Sequence, residues 1–255
     1  MNKSKHESPT IWPGECRAAI SLCYDAGYQT QVDFAIPNLE KARIRATFFL
    51  DAELYLQNFA TWRQAFKAGN EIGNGSLLPW SLEDGSLTNW STDAAMGEIL
   101  ACDELFLEAL NITNPMLALP KGPALCSDGS LLKITENRVR RMPHESNNSP
   151  NGENDVYPIF CYGMSFDELK SIANKLAQQG GWGVLCFGEI SEFNLGGPTE
   201  STTRQAHELF TKWLSEQTHL WLAPIMDVRA YQQAMTGSEP ELVADETILD
   251  SSHLS

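Results

Sequence analysis

Along this chain, short apolar runs alternate with longer stretches of helical period. Five runs read as strands: Ala18–Tyr24, 46–50, 116–119, 183–187 and 220–223. Each is rich in Ile, Leu, Val, Phe or Trp and bounded by polar or turn residues, the pattern of strands buried on both faces. Between them lie amphipathic segments. Residues 31–42 place Val32, Ala35, Ile36 and Leu39 on one stripe, with Pro37 as a kink point. Thr92–Leu110 repeats Met96, Ile99, Leu100, Leu107 and Leu110. Phe166–Gln179 opens with Ser165 and Glu168 in capping-box spacing and stops at Gly180-Gly181. Arg204–Ser215 turns Ala206, Leu209, Phe210 and Trp213 to one side. Alternation of this kind, with continuously apolar strands, predicts an α/β fold in which helices cover a parallel sheet.

Two stretches break the rhythm. Residues 76–91 have little period and carry Pro79, Trp80, Asp84-Gly85 and Trp90, and residues 140–155 form a polar run read as a loop. The predicted organisation is a flexible N-terminus over 1–11, one domain over 12–235, and an acidic, disordered tail over 236–255. That tail holds Glu239, Glu241, Asp245, Glu246 and Asp250 and no Lys or Arg.

Charge narrows the partners. The chain of 255 residues has 33 acids against 18 bases, a formal charge of −15, which argues against nucleic acid as a ligand. The one basic cluster, Arg138, Arg140 and Arg141, reads as a solvated loop or strand edge. No apolar run approaches the ~18 residues of a membrane span. The first nine residues are polar and lack the apolar stretch of a secretory signal. Six cysteines without a CxxC pair, most in apolar segments, read as reduced buried thiols, and the expected location is cytoplasmic. A carbohydrate or small neutral ligand remains, and nothing in the sequence sets the oligomeric state.

Four segments in order resemble the polysaccharide deacetylase family, or NodB homology domain. Trp12-Pro13 precedes Ala19-Ile20-Ser21-Leu22-Cys23-Tyr24-Asp25-Ala26-Gly27-Tyr28, where that family writes a strand ending in Thr-Phe-Asp-Asp-Gly. Ala46-Thr47-Phe48-Phe49-Leu50 resembles its next strand. Gly69-Asn70-Glu71-Ile72-Gly73-Asn74-Gly75-Ser76-Leu77-Leu78-Pro79 is similar to its Gly-His-Glu-Ile-Gly-Asn-His-Ser/Thr-x-x-His. Gly180-Gly181-Trp182-Gly183-Val184-Leu185-Cys186-Phe187-Gly188 resembles a strand that ends in histidine in the family. Leu220-Trp221-Leu222-Ala223-Pro224 and Val228-Arg229-Ala230-Tyr231 look like the family's final strand and helix. The resemblance implies a distorted (β/α) barrel and hydrolysis of acetyl groups on sugars, with water activated on a divalent metal.

The residues that would do this chemistry are missing. Against the family pattern, the metal-ligand positions are Ala26, Gly75 and Pro79, none of which offers a side-chain lone pair. The histidine that acts as acid in the family is Gly188, and the arginine ahead of Pro120 and Gly122 is Ala118. No metal and no cofactor is therefore expected. Asp25, aligned with the family's base, survives, and at a strand end it can equally serve a turn. Glu189 offers a second carboxylate, Ser76 keeps the motif hydroxyl, and Trp80 can stack on a sugar or pack in the core. Cys23, two residues before Asp25, reads as buried packing. Each of the five histidines (His6, His144, His207, His219 and His253) reads as a surface or hydrogen-bonded residue.

Three readings follow: a pseudoenzyme that keeps a sugar or small-ligand pocket; a hydrolase on acetylated carbohydrate with a metal-free or rearranged site on Asp25, with Glu189 as a second carboxylate; and a structural or partner-binding protein. If the alignment is right, Ala26→Asp with Gly75→His and Pro79→His should restore metal binding. The foreseen obstacles are a positive φ at Gly75 and a drifted turn at Pro79.

Overall fold

The computed structural model describes residues 12–77, 87–119, 124–141, 155–192 and 201–236. Its strands are β1 (Ala18–Tyr24), β2 (Thr47–Leu50), β3 (Glu71–Asn74), β4 (Leu117–Ala118), β5 (Arg140–Arg141), β6 (Asp155–Val156), β7 (Ile159–Phe160), β8 (Gly181–Phe187), β9 (Glu189–Ser191), β10 (Ser201–Thr203) and β11 (Leu220–Leu222). The helices are α1 (Ile36–Ala42), α2 (Ala52–Gln57), α3 (Phe59–Lys67), α4 (Thr92–Leu110), α5 (Leu131–Ile134), α6 (Phe166–Gln179), α7 (Arg204–Ser215) and α8 (Ile225–Thr236).

The main sheet runs β6-β5-β4-β3-β2-β1-β8-β7 with every pairing parallel. Strand β1 pairs along its whole length with β8, and it shares its other edge between β11 below (Ala18 to Ile20) and β2 above (Cys23 and Tyr24). The two ends of this path are close in sequence, since β6 stops at Val156 and β7 starts at Ile159. Three Cα steps span at most about 11 Å, whereas eight flat strands would put the edges about 34 Å apart. The sheet must therefore curl into a distorted barrel.

Strand alternation sorts the core into two faces. Ile20, Leu22, Tyr24, Phe48, Leu50, Ile72, Leu185 and Phe187 pack outward against the helices. Cys23, Phe49, Met116, Ala118, Val156, Val184 and Cys186 form an inner cluster, joined by Ile225. At the N-terminal rim of the barrel, the Glu71 carboxylate accepts from Thr47 Oγ1 at 2.5 Å and from Met226 N at 3.4 Å in the first turn of α8. Burial raises its pKa, and the neighbouring hydrogen bonds oppose that rise.

Several expectations are corrected. α4 has the predicted bounds, but its buried residues are Ala95, Ile99, Cys102, Phe106 and Leu110. Leu100 and Leu107 are 56% and 45% exposed, so the stripe is rotated. In α7, Ala206 and Phe210 are buried as read, while Leu209 is exposed and His207 and Leu214 take the inner positions. The predicted helix over 31–42 begins as a π-helical turn, Gln31–Ala35, in which Ile36 N–H bonds Gln31 O. Pro37 follows as the second residue of α1 and, having no N–H, cannot carry the π-type hydrogen bonding past Ile36.

Of the arginine cluster, Arg138 and Arg140 are not in a solvated loop or strand edge. Arg140 is inside the sheet, 5% exposed, with Nε and Nη2 on Asp155 Oδ1 at 2.9 and 2.6 Å. Arg138 makes two bonds to Asp103, at 2.6 and 3.0 Å. A capping box on α6, with Ser165 and Glu168 bonded reciprocally, matches the sequence reading, and burial of Cys23, Cys102, Cys126, Cys161 and Cys186 as free thiols does too. Residues 1–11 and 237–255 lie outside the described residues. Among the described residues no helix is long and apolar enough to cross a membrane.

Candidate functional site

Because all strands of the main sheet run the same way, the residue after each strand lies on one rim. Asp25 follows β1, Asp51 follows β2, Gly75 follows β3 and Gly188 follows β8. This C-terminal rim is where barrel proteins assemble their sites.

At the end of β1 the chain turns sharply. Asp25 N–H donates to Phe187 O, and Gly27 N–H returns to Asp25 O, both at 3.0 Å. Ala26 and Gly27 take the left-handed conformation, φ 72° and 86°. Gln31, fully buried, straps the turn to β8: its Nε2 donates to Asp25 O at 2.6 Å and to Gly188 O at 2.9 Å. Asp25 is 8% exposed, and Tyr162 Oη lies 3.5 Å from its Oδ2. So Asp25 serves the turn through its backbone, while its carboxylate faces the rim beside a phenol.

The β3 end differs from expectation. Gly75 has no positive φ; that conformation belongs to Ser76, at φ 94°, whose N–H donates to Asn74 Oδ1 at 2.7 Å. Asn74 Nδ2 in turn donates to Ile99 O at 2.9 Å and to Asp103 Oδ1 at 2.6 Å, which Arg138 also holds. A buried polar chain therefore fixes the Ser76 turn from below. What constrains Gly75 is contact. A Cβ placed there would lie 2.7 Å from Asp51 Oδ1, 2.8 Å from Leu50 C and 2.9 Å from Leu50 O. Asp51 is 6% exposed, and its N–H donates to Ala26 O at 3.0 Å, which ties the β1 and β2 ends together. Cys102 lies below this corner and is held protonated, first by burial and then by the negative charge of Asp103 and Asp51.

Glu189 does not join this group: it is exposed at the start of β9, which pairs with β10 in a separate small sheet. Ala118 is buried in the inner cluster, 4% exposed. Trp90 packs, half-buried, against a second core cluster with Leu87, Ile99 and Leu131. Pro79, Trp80, Pro120 and Gly122 lie outside the described residues. His207, read as a surface or hydrogen-bonded residue, is fully buried behind the sheet, 2.7 Å from Tyr24 Oη and 3.2 Å from Asn38 Nδ2. Burial lowers its pKa to about 3, so it is neutral.

The donor set on this rim does not fit a metal of the kind the resemblance implies. Ala26 has no donor, the side-chain direction of Gly75 is taken by Asp51 and Leu50, and no three His, Cys, Asp or Glu are grouped for metal binding among the described residues.

Residues 14–137 match the family model described as polysaccharide deacetylase, just under half of the chain. Solved structures extend the likeness over nearly all of it. A Pseudomonas aeruginosa protein described as a "probable polysaccharide deacetylase" superposes with a TM-score of 0.65 at 13% identity, covering 89% of this chain and 94% of that one. The fold is that of the polysaccharide deacetylases. Peptidoglycan deacetylase PdaC from Bacillus subtilis shares it with a TM-score of 0.54 at 16% identity, covering 87% of this chain and 94% of its own. A mutant of BA3943, described as a CE4 family pseudoenzyme with restored enzymatic activity, gives 0.54 at 13% identity, covering 83% of this chain and 67% of that one. No curated protein matches the chain by sequence. On this polysaccharide deacetylase fold, Asp51 and Tyr162 are rim residues that the sequence reading missed. Asp51 had a legible signal, its place directly after an apolar strand. Tyr162 had none, because it approaches Asp25 across 137 residues of sequence.

Proposed function

We propose that this chain is a degenerate polysaccharide deacetylase that has lost metal-dependent deacetylation and keeps a pocket for a carbohydrate or another small neutral ligand at the C-terminal rim. The observation that carries the reading is the corner at Gly75. There the Asp51 carboxylate and the Leu50 backbone lie within 3 Å of where a side chain would begin, at the position the family uses for a metal-binding histidine. Glycine at 188 and alanine at 26 support it, since neither acid nor carboxylate ligand stands at those places. Without a metal, Asp25 alone lacks the Lewis acid and proton donor that acetyl transfer to water requires. A pseudoenzyme with this fold, BA3943, offers a precedent. Free, mostly buried cysteines support a reducing, cytoplasmic location.

The test pairs elemental analysis of untagged protein with acetate release from acetylated chito-oligosaccharides. The expected result is no stoichiometric transition metal and no turnover above background. About one zinc per chain, together with acetate release lost in Asp25→Asn, would overturn the proposal.

A further inference from the structure

Two neighbouring helices on the outside of the barrel carry exposed faces of opposite charge. α3 precedes β3 and α4 follows it, and they meet at the Tyr55 ring, whose centroid is 5.5 Å from that of Phe59 and 5.2 Å from that of Phe106. On α4, Glu104 and Glu108 are exposed one turn apart, a like-charged pair that destabilises a helix on its own. Glu108 also lies near the C-terminal end of α4, where the helix dipole disfavours an acid. Leu100 and Leu107 are exposed beside this acidic row. Gly97, two turns before Glu104 on the same face, has open space where a Cβ would stand, which leaves the face flat for a close approach. On α3, Phe59, Arg63 and Lys67 follow one another at four-residue steps along the exposed side, with the Arg63 guanidinium 6.0 Å from the Phe59 ring centroid. Leu56 is exposed just before this row. Among the described residues, none of Arg63, Lys67, Glu104 and Glu108 has an ion-pair partner.

These faces fit a second copy of the chain. Arg63 and Lys67 are about 6 Å apart along their helix, and so are Glu104 and Glu108. Both helices run from the C-terminal rim towards the N-terminal rim, because each links two parallel strands. A two-fold axis between them therefore sets α3 of one protomer antiparallel to α4 of its partner, at two equivalent contacts. In that crossing Arg63 of one protomer meets Glu108 of its partner and Lys67 meets Glu104, with Phe59 and Leu107 adding apolar area. The net charge of −15 repels one copy from another, so a contact between copies needs opposite charges paired locally, which this one supplies. We infer that the chain forms a two-fold dimer in which α3 of each protomer docks on α4 of the other. This goes beyond the proposed function and does not depend on it.

The experiment is sedimentation equilibrium of the full chain from about 1 to 200 µM, with circular dichroism confirming that each variant is folded. The parent should be a reversible dimer of twice the chain mass. Arg63→Glu with Lys67→Glu, and separately Glu104→Lys with Glu108→Lys, set like charges opposite one another at both contacts. Each double variant should weaken the dimer at least about 100-fold. Mixed in equal amounts, the two double variants regain opposite charges at both contacts and should dimerise with each other as the parent does. Lys212→Glu, on the exposed side of α7, should leave the dimer unchanged. Arg63→Gln removes two exposed ion pairs per dimer and should weaken it roughly 5-fold, which decides the matter if a double variant fails to fold. A parent that stays monomeric across this range would overturn the inference. So would a dimer that neither the double variants nor Arg63→Gln weaken, or two folded double variants that stay monomeric when mixed.

Discussion

Replacing Gly75 with alanine measures how far the inherited metal position has closed. The new Cβ would meet Asp51 Oδ1 at 2.7 Å, Leu50 C at 2.8 Å and Leu50 O at 2.9 Å, all nearer than a real Cβ contact. Backbone torsion adds nothing, since Gly75 needs no positive φ. Of the three atoms only the carboxylate oxygen can swing aside. The Leu50 carbonyl accepts from Gly75 N–H at 3.0 Å, and moving it would break the join between β2 and β3. Overpacking typically costs about 1–3 kcal/mol, and the backbone share puts Gly75→Ala near the upper end, about 3 kcal/mol. At roughly 2–4 °C per kcal/mol for a domain of this size, Tm should fall by about 6–12 °C. Removing the carboxylate in the same background, with Asp51→Gly, should return about 1 kcal/mol as a coupling energy. Urea unfolding of the parent, both single variants and the double variant, followed by circular dichroism, supplies the whole cycle. A Gly75→Ala variant within about 0.5 kcal/mol of the parent, the range of ordinary surface substitutions, would refute the reasoning.

The same corner governs restoration: Ala26→Asp, Gly75→His and Pro79→His together should gain zinc affinity only when Asp51→Gly is added, and calorimetry showing equal affinity with and without that change would count against it. EDTA should leave Tm unchanged, because the barrel core is apolar, and a drop of several degrees in thermal melts would reveal a structural ion. His207 has a folded pKa of about 3 against 6.5 unfolded, so the unfolded state takes up the proton first and stability falls as pH drops from 6.5 towards 3. Between pH 7 and 5 this costs about 2 kcal/mol, which His207→Gln should spare; equal losses in both proteins by urea unfolding would exclude the effect. Arg140→Ala should destabilise by roughly 3–5 kcal/mol by stranding the buried Asp155 carboxylate, and Arg140→Ala unfolding at the parental urea midpoint would contradict that.

Sequence period located the long elements well and the short ones poorly, for a physical reason. β1, α4, α6 and α7 carry enough residues for their pattern to rise above accident, and their bounds coincide with the structure. β5, β6 and β7 have two residues each, too few to show alternation, and β5 hides behind two arginines. Arg140 reads as solvated because its neutralising partner, Asp155, lies 15 residues on, inside what looks like a polar loop. On α4, apolar residues span more than one arc, and local pattern cannot say which arc faces the sheet. At the site, Gly75 is visible as a missing ligand, but the cause of its glycine is a carboxylate from the neighbouring strand end. Only the parallel register brings the two together.

The strap made by Gln31 has its placement set by counting rather than by affinity. In the π-helical turn Gln31–Ala35 each hydrogen-bonded ring encloses one residue more than an α-turn does, as the Ile36 N–H to Gln31 O bond shows. Removing a single residue from that turn would restore α register and rotate everything before it by about 100° relative to α1. Gln31 would then carry its amide away from the Asp25 and Gly188 carbonyls, and Thr30 would leave Ile190 N–H, which its hydroxyl now meets at 3.2 Å. A one-codon deletion, with no change of residue type, would thus unfasten the β1 and β8 ends, so chain length acts here as the setting of a dial.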